Sequence, residues 1–244
     1  MKLKLKWFKF LLLYSSLFLI GCSQKQEPIF TIAASSNLHY CINELANSFQ
    51  KDTGIPMQIT LGASSKLSFQ IINGAYFDIF LSADSIYPSQ IKRKLKLKNP
   101  PVTYAYGKIA VASNKNINDN FLISSKKIGI PNPLTTPYGK EILNYLNSLK
   151  NFPDIKHKIV YGESVMHTNT LLKTKAVDII FTSLSSINNE KEIYYTNLPL
   201  NKYSLLNQQL IIVNDDSISH KFANYILSTQ GKAILKQHEY TIPQ

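Results

Sequence analysis

Short apolar runs alternate along this chain with longer stretches in which apolar residues recur every three or four positions. Residues 29–34 read as a strand, and 37–51 as a helix carrying Leu38, Cys41, Ile42, Leu45 and Phe49 on one face. Gly54 and Pro56 stop that helix. Residues 57–61 give the next strand, 65–73 a helix closed by Gly74, and 77–81 a third strand. The alternation continues through strands at 106–113, 127–130, 159–161 and 178–182, with helices at 137–150 and 164–174. A strand at 209–213 and one amphipathic helix at 219–236 end the pattern. Alternating elements of this kind predict an α/β protein. Pro100-Pro101 is the clearest break in composition and places a lobe boundary nearby.

Four strand-to-helix junctions share one chemistry. They are Ala34-Ser35-Ser36-Asn37, Gly62-Ala63-Ser64-Ser65, Thr135-Thr136-Pro137-Tyr138-Gly139 and Gly162-Glu163-Ser164-Val165. Each offers a Ser or Thr suited to capping a helix, and Pro137 suits a first helical turn. A first turn also leaves N–H groups without partners, in the positive field of the helix dipole. Such junctions therefore serve either as plain caps or, if they converge on one cleft, as a cage of N–H and O–H donors around an anion. In the second case Ser64 is a donor and not a nucleophile.

Composition narrows the setting. Lys2, Lys4, Lys6 and Lys9 precede a short apolar run ending in Leu19-Ile20-Gly21-Cys22. Residues 1–21 thus read as a lipoprotein signal peptide, Cys22 as the lipidated residue, and 22–28 as a polar tether. Cys41 is the other cysteine, so neither an internal disulfide nor a cysteine-based zinc site is expected. The net charge of +12 falls by four when the leader leaves, and the rest is nearly all lysine. Its densest run, KRKLKLK at 92–98, reads as a solvated loop or an attraction to anionic lipid, since an exported protein rarely meets nucleic acid.

A hydrolase is the main rival reading. Yet Gly62-Ala63-Ser64-Ser65 lacks the second glycine of a nucleophile elbow. Ser124 and Lys127 match Ser-x-x-Lys, a spacing that a lysine-rich chain meets by chance. His39, His157, His167, His220 and His238 show no metal spacing. A surface lipoprotein with no transport role is the third reading.

The junction sequences carry a resemblance. AASSNL (33–38), GASS (62–65), INGAYFDIFLSAD (72–84), YAYGK (104–108), Asn132-Pro133 with Pro137-Tyr138-Gly139, and ESV (163–165) are similar, in this order, to periplasmic molybdate-binding proteins of ABC importers. The likeness spans residues 29–244. It implies a two-lobed class II periplasmic solute-binding fold, each lobe a mixed sheet flanked by helices, with the ligand cleft between lobes. Lobe 1 would take 29–104 and 205–244, and lobe 2 residues 105–204. The resemblance also implies a monomeric receptor for molybdate or tungstate, without a cofactor, that serves a membrane permease and its ATPase. Carried over by position, the oxyanion contacts would be Ser36, Asn37, Ser64, Tyr138 and Val165, the last through its backbone N–H. Ala63 offers no hydroxyl and Phe181 cannot donate where some members have tyrosine. Sulfate and phosphate remain alternative ligands. Molybdate, tungstate and sulfate carry no proton at neutral pH and suit a donor-only site, whereas phosphate would want a carboxylate. Glu163, the nearby acid, is expected to point away from the cleft.

Overall fold

The computed structural model describes residues 29–188 and 190–243. The leader and tether expected at 1–28 lie outside the described residues. In chain order the first strands are β1 (Phe30–Ser35), β2 (Met57–Gly62), β3 (Ile79–Leu81), β4 (Val102–Gly107) and β5 (Ile109–Ser113). They are followed by β6 (Ile128–Pro131), β7 (Ile159–Gly162), β8 (Ile179–Ser183), β9 (Tyr194–Asn197) and β10 (Leu206–Ile212). One sheet has the order β2-β1-β3-β10-β4 and the other β7-β6-β8-β5-β9. In each, three strands pair in parallel, and two further strands extend them through two antiparallel pairings.

The central strands of both sheets are covered on both faces, which is why they read as unbroken apolar runs. In the first sheet Phe30, Ile32, Ala34, Ile79, Leu81, Leu210 and Ile212 face one core, while Ala33, Phe80 and Ile211 face another. Helix α1 (His39–Thr53) supplies Cys41, Ile42, Leu45 and Phe49 to the larger core. Helix α2 (Ser64–Ile72) supplies Leu67 and Ile71, and α3 (Ile86–Leu95) Ile91, to the smaller. The second sheet is covered by α5 (Pro137–Asn147) on one face and α7 (Val165–Lys173) on the other. Two short helices, α4 (Phe121–Ser124) and α6 (Phe152–Ile155), pack Phe121, Leu122, Phe152 and Ile155 into the core that α5 covers. The C-terminal helices α8 (Ser217–Leu227) and α9 (Thr229–Gln237) return to the first sheet.

Three sequence expectations need correction. The run 106–113 is not one strand: β4 ends at Gly107 opposite Leu206, and β5 begins at Ile109 opposite Ser183 in the other sheet. The chain crosses between lobes there, so the boundary expected between 104 and 105 falls inside β4. The helix expected at 219–236 is two helices. Ser228 takes an extended backbone and caps α9, its Oγ accepting from Gly231 N–H at 3.2 Å. The lysine run is helical at its start: Lys92, Arg93 and Lys94 form the last turn of α3, where cations oppose the negative end of the dipole. Lys96, left-handed at φ 53°, ends it. Strand β9 escaped sequence reading because all four of its residues are exposed, so no apolar alternation marks it. Among the described residues no helix is long and apolar enough to cross a membrane.

Asp78 ties the first sheet together. Its carboxylate accepts from Thr31 N–H at 2.6 Å, Thr31 Oγ1 at 2.8 Å, Tyr76 Oη at 2.9 Å and Asn214 Nδ2 at 3.0 Å. Burial pushes its pKa up, but these donors outweigh burial and hold it below the usual carboxylate value. Asp78→Asn is expected to destabilise the fold by about 1–3 kcal/mol at pH 7. A depressed folded pKa contributes stability above the unfolded value and loses it as pH falls through the folded one. Urea titrations at pH 7 and pH 3 should therefore show the gap between wild type and variant narrowing on the acid side.

Candidate functional site

At the first junction the chain leaves β1 and makes one 3-10 turn, Ser36–Leu38, before α1 begins at His39. The helix expected from residue 37 thus starts two residues later. No side chain caps this turn, and none caps α2, whose N-cap is Ala63. Ser36 and Ser64 instead lie within the first turns, both buried. Ser36 Oγ has no hydrogen-bond partner. Ser64 Oγ accepts from Ala83 N–H at 3.3 Å and keeps its own proton free to donate.

At the other two junctions the cap is in use. Thr136 Oγ1 accepts from Gly139 N–H at 3.0 Å, and Ser164 Oγ from His167 N–H at 3.2 Å. Pro137 has no N–H. Tyr138 in α5, and Val165 and Met166 in α7, are then the first-turn N–H groups left without an acceptor. The residue types that looked alike in sequence therefore divide: two hydroxyls cap helices, and two buried hydroxyls do not.

The four junctions meet. Helix α7 and the 3-10 turn Leu184–Ser186 after β8 both pack on the Ser36–Leu38 turn. Ser65 N–H donates to Thr135 O at 3.3 Å, joining the second junction to the third. Thr135 Oγ1 donates to Glu163 O at 3.5 Å, joining the third to the fourth. Ser185 Oγ, in the second lobe, donates to Asn37 O in the first at 3.0 Å. The lobes are closed on one another.

Side-chain partners refine the contacts expected of Asn37 and Tyr138. Both hydrogens of the Asn37 amide are engaged, by Gln208 Oε1 at 3.0 Å and Tyr240 Oη at 2.8 Å. Asn37 can then offer a ligand its main-chain N–H, while its Oδ1 is buried and without a donor. Tyr138 is fully buried, and its hydroxyl accepts from Gln208 Nε2 at 3.2 Å. Burial raises the pKa of that phenol, so it stays protonated at neutral pH. Phe181 is buried with no polar atom, and Ala63 is buried likewise.

The one carboxylate within the junctions is Glu163. It lies just before the Ser164 cap, outside the helix. Its exposed carboxylate accepts from Lys66 Nζ at 3.1 Å across the two lobes, and that cation lowers its pKa. A second bridge between lobes joins the Tyr40 hydroxyl to Glu190, which also holds Lys173 Nζ at 2.6 Å. Sequence reading missed this bridge, and also Ser185, Gln208 and Tyr240. The one signal for Gln208 is a run of three polar residues, Asn207-Gln208-Gln209, inside the otherwise apolar strand LNQQLII.

Among the described residues no base contacts Ser64, and Ser124 Oγ donates to Asn120 O. His167 Nδ1 accepts from Glu163 N–H at 3.1 Å within a local turn. Among the described residues no three His, Cys, Asp or Glu side chains cluster as metal ligands.

Known proteins share this architecture. The chain is 25% identical over 235 residues to the molybdate-binding protein ModA of Azotobacter vinelandii, covering 91% of this chain and 93% of that protein. The structure of the periplasmic molybdate-binding protein of Azotobacter vinelandii superposes with a TM-score of 0.80 at 27% identity, covering 88% of this chain and all of that one. The sulfate-binding protein SubI of Mycobacterium tuberculosis shares the fold at a TM-score of 0.71 and 14% identity, covering 88% and 86% of the two chains. The family model described as "bacterial extracellular solute-binding protein" matches residues 30–241, and the chain belongs to that family.

Proposed function

We propose that this protein binds a tetrahedral oxyanion dianion, molybdate or tungstate, between its lobes and delivers it to the permease and ATPase of an ABC importer. The ligand would be held by Ser36 and Ser64 through their hydroxyls and by Asn37, Tyr138 and Val165 through main-chain N–H groups. One observation carries this reading: Ser36 and Ser64 are buried hydroxyls at helix starts that cap nothing. Together with the free N–H groups of the opposite lobe they form a donor-only surface. Such a surface fits an anion with no proton of its own. The receptor acts without turnover and without a cofactor, as a monomer tethered outside the cytoplasm by a lipid on Cys22. The relatives named as molybdate-binding support the choice of ligand.

A second reading rests on Asn37 Oδ1, a buried acceptor without a donor. Turned toward the ligand, it would accept a hydrogen bond from the hydroxyl of a protonated oxyanion such as phosphate. Thermal unfolding in the presence of molybdate, tungstate, sulfate or phosphate separates the two. A ligand at 100 times its Kd adds about 2.7 kcal/mol of stability. For a chain of this size that corresponds to roughly 5–10 °C in Tm. Molybdate and tungstate should give the largest shifts at micromolar concentration. A larger shift with phosphate would select the second reading, and none with any oxyanion would sink both.

A further inference from the structure

Gln208 sits on β10 where the register with β4 slips, Gln208 lying opposite Ala105 and Gln209 opposite Thr103. Its side chain is fully buried although it is polar, and each of its polar atoms is engaged. Oε1 accepts from Asn37 Nδ2 at 3.0 Å and from Tyr104 Oη at 2.9 Å. Nε2 donates to Tyr138 Oη at 3.2 Å. One amide on the crossing strands thus reaches a first-lobe residue and a second-lobe residue of the proposed oxyanion site. Gly107 completes the fit: a Cβ there would run into the Tyr138 hydroxyl and the Gln208 amide.

We infer that Gln208 is a positioning residue for oxyanion binding, orienting the Asn37 and Tyr138 segments from behind the site and locking the lobes in the binding geometry. The inference rests on the proposed oxyanion reading. The physical reason is the directionality of the amide. Its oxygen fixes the Asn37 side chain, so that the Asn37 main-chain N–H keeps one direction. Its nitrogen anchors the Tyr138 ring, and with it the first turn of α5. Both contacts exist together only when the lobes are closed. Neutrality matters as well, since a carboxylate at 208 would place a negative charge directly behind the Asn37 and Tyr138 segments that hold a dianion. The titratable groups packed around Gln208 are the Tyr104, Tyr138 and Tyr240 phenols and, beyond them, the Cys41 thiol. Burial raises all four, so they stay neutral from pH 5.5 to 8.5.

The experiment is calorimetric titration of sodium molybdate into the full mature chain across that pH window, for wild type, Gln208→Met and Gln208→Glu. Gln208→Met keeps the side chain's length and removes its hydrogen bonds; its Kd should rise at least tenfold at every pH. Gln208→Glu should bind within threefold of wild type at pH 5.5, where a buried carboxyl is protonated and resembles the amide. It should weaken by tenfold or more by pH 8.5, while wild type stays flat. A residue that only stabilised the fold would lower Tm without producing that pH profile. Both variants binding within twofold of wild type across the window would overturn the inference and leave the oxyanion reading standing. Wild type failing to bind molybdate would overturn both.

Discussion

Val165→Pro is expected to abolish most oxyanion binding while leaving helix α7 in place. Val165 is the first residue of that helix, a position where proline's missing N–H breaks no helical bond and its fixed φ suits the turn. Ser164 before it is already extended, at φ −151° and ψ 171°, as a residue preceding proline prefers. The substitution therefore removes one candidate ligand donor and little else from the backbone. A hydrogen bond to a charged group contributes about 1.5–3 kcal/mol, so affinity should fall about 10- to 150-fold. Val165→Ala, which trims the buried side chain but keeps the N–H, serves as the control and should bind within about threefold of wild type. Calorimetry with molybdate reads both, and equal losses in the two variants would remove the Val165 N–H from the site.

Ser64→Asp should be more drastic. Ser64 opens α2, and a carboxylate in a helix's first turn interacts favourably with the dipole, so the ligand-free protein is expected to stay folded. In the closed cleft the same carboxylate would face the dianion. Two unit charges about 4 Å apart repel by about 4 kcal/mol at an effective dielectric near 20, and the second ligand charge adds to this. Binding should weaken by roughly 1,000-fold or more. Ser64→Ala, by contrast, should weaken binding severalfold, and it also leaves Ala83 N–H without its acceptor. Retained micromolar binding in the Asp variant, with the ligand-free Tm unchanged, would mean that Ser64 does not face the anion.

Sequence alone determined much of this. Each strand buried on both faces writes an apolar run, and each helix a three-to-four spacing, so the α/β alternation and the four junctions could be read directly. The junctions stood out because a helix start is a local feature, set by the few residues around it; within them Ser36, Asn37, Ser64, Tyr138 and Val165 were singled out only by resemblance to molybdate-binding proteins. What local reading lacked was the use of each hydroxyl. Thr136 and Ser164 turn inward as caps and Ser36 and Ser64 do not, although all four have similar neighbours along the chain.

Only the tertiary structure decided the rest. The crossing at Gly107–Lys108 is invisible in a run that reads as one strand, because sheet membership depends on partners about a hundred residues away, such as Leu206 for Gly107. The same holds for Gln208, whose bonds reach Asn37 across 171 positions and Tyr138 across 70. Glu163 was readable as an acid near a junction, but its partner Lys66 comes from the other lobe. Periodicity records which face of an element is buried. Which buried polar atoms find one another depends on how the lobes close, and chain order does not encode that locally.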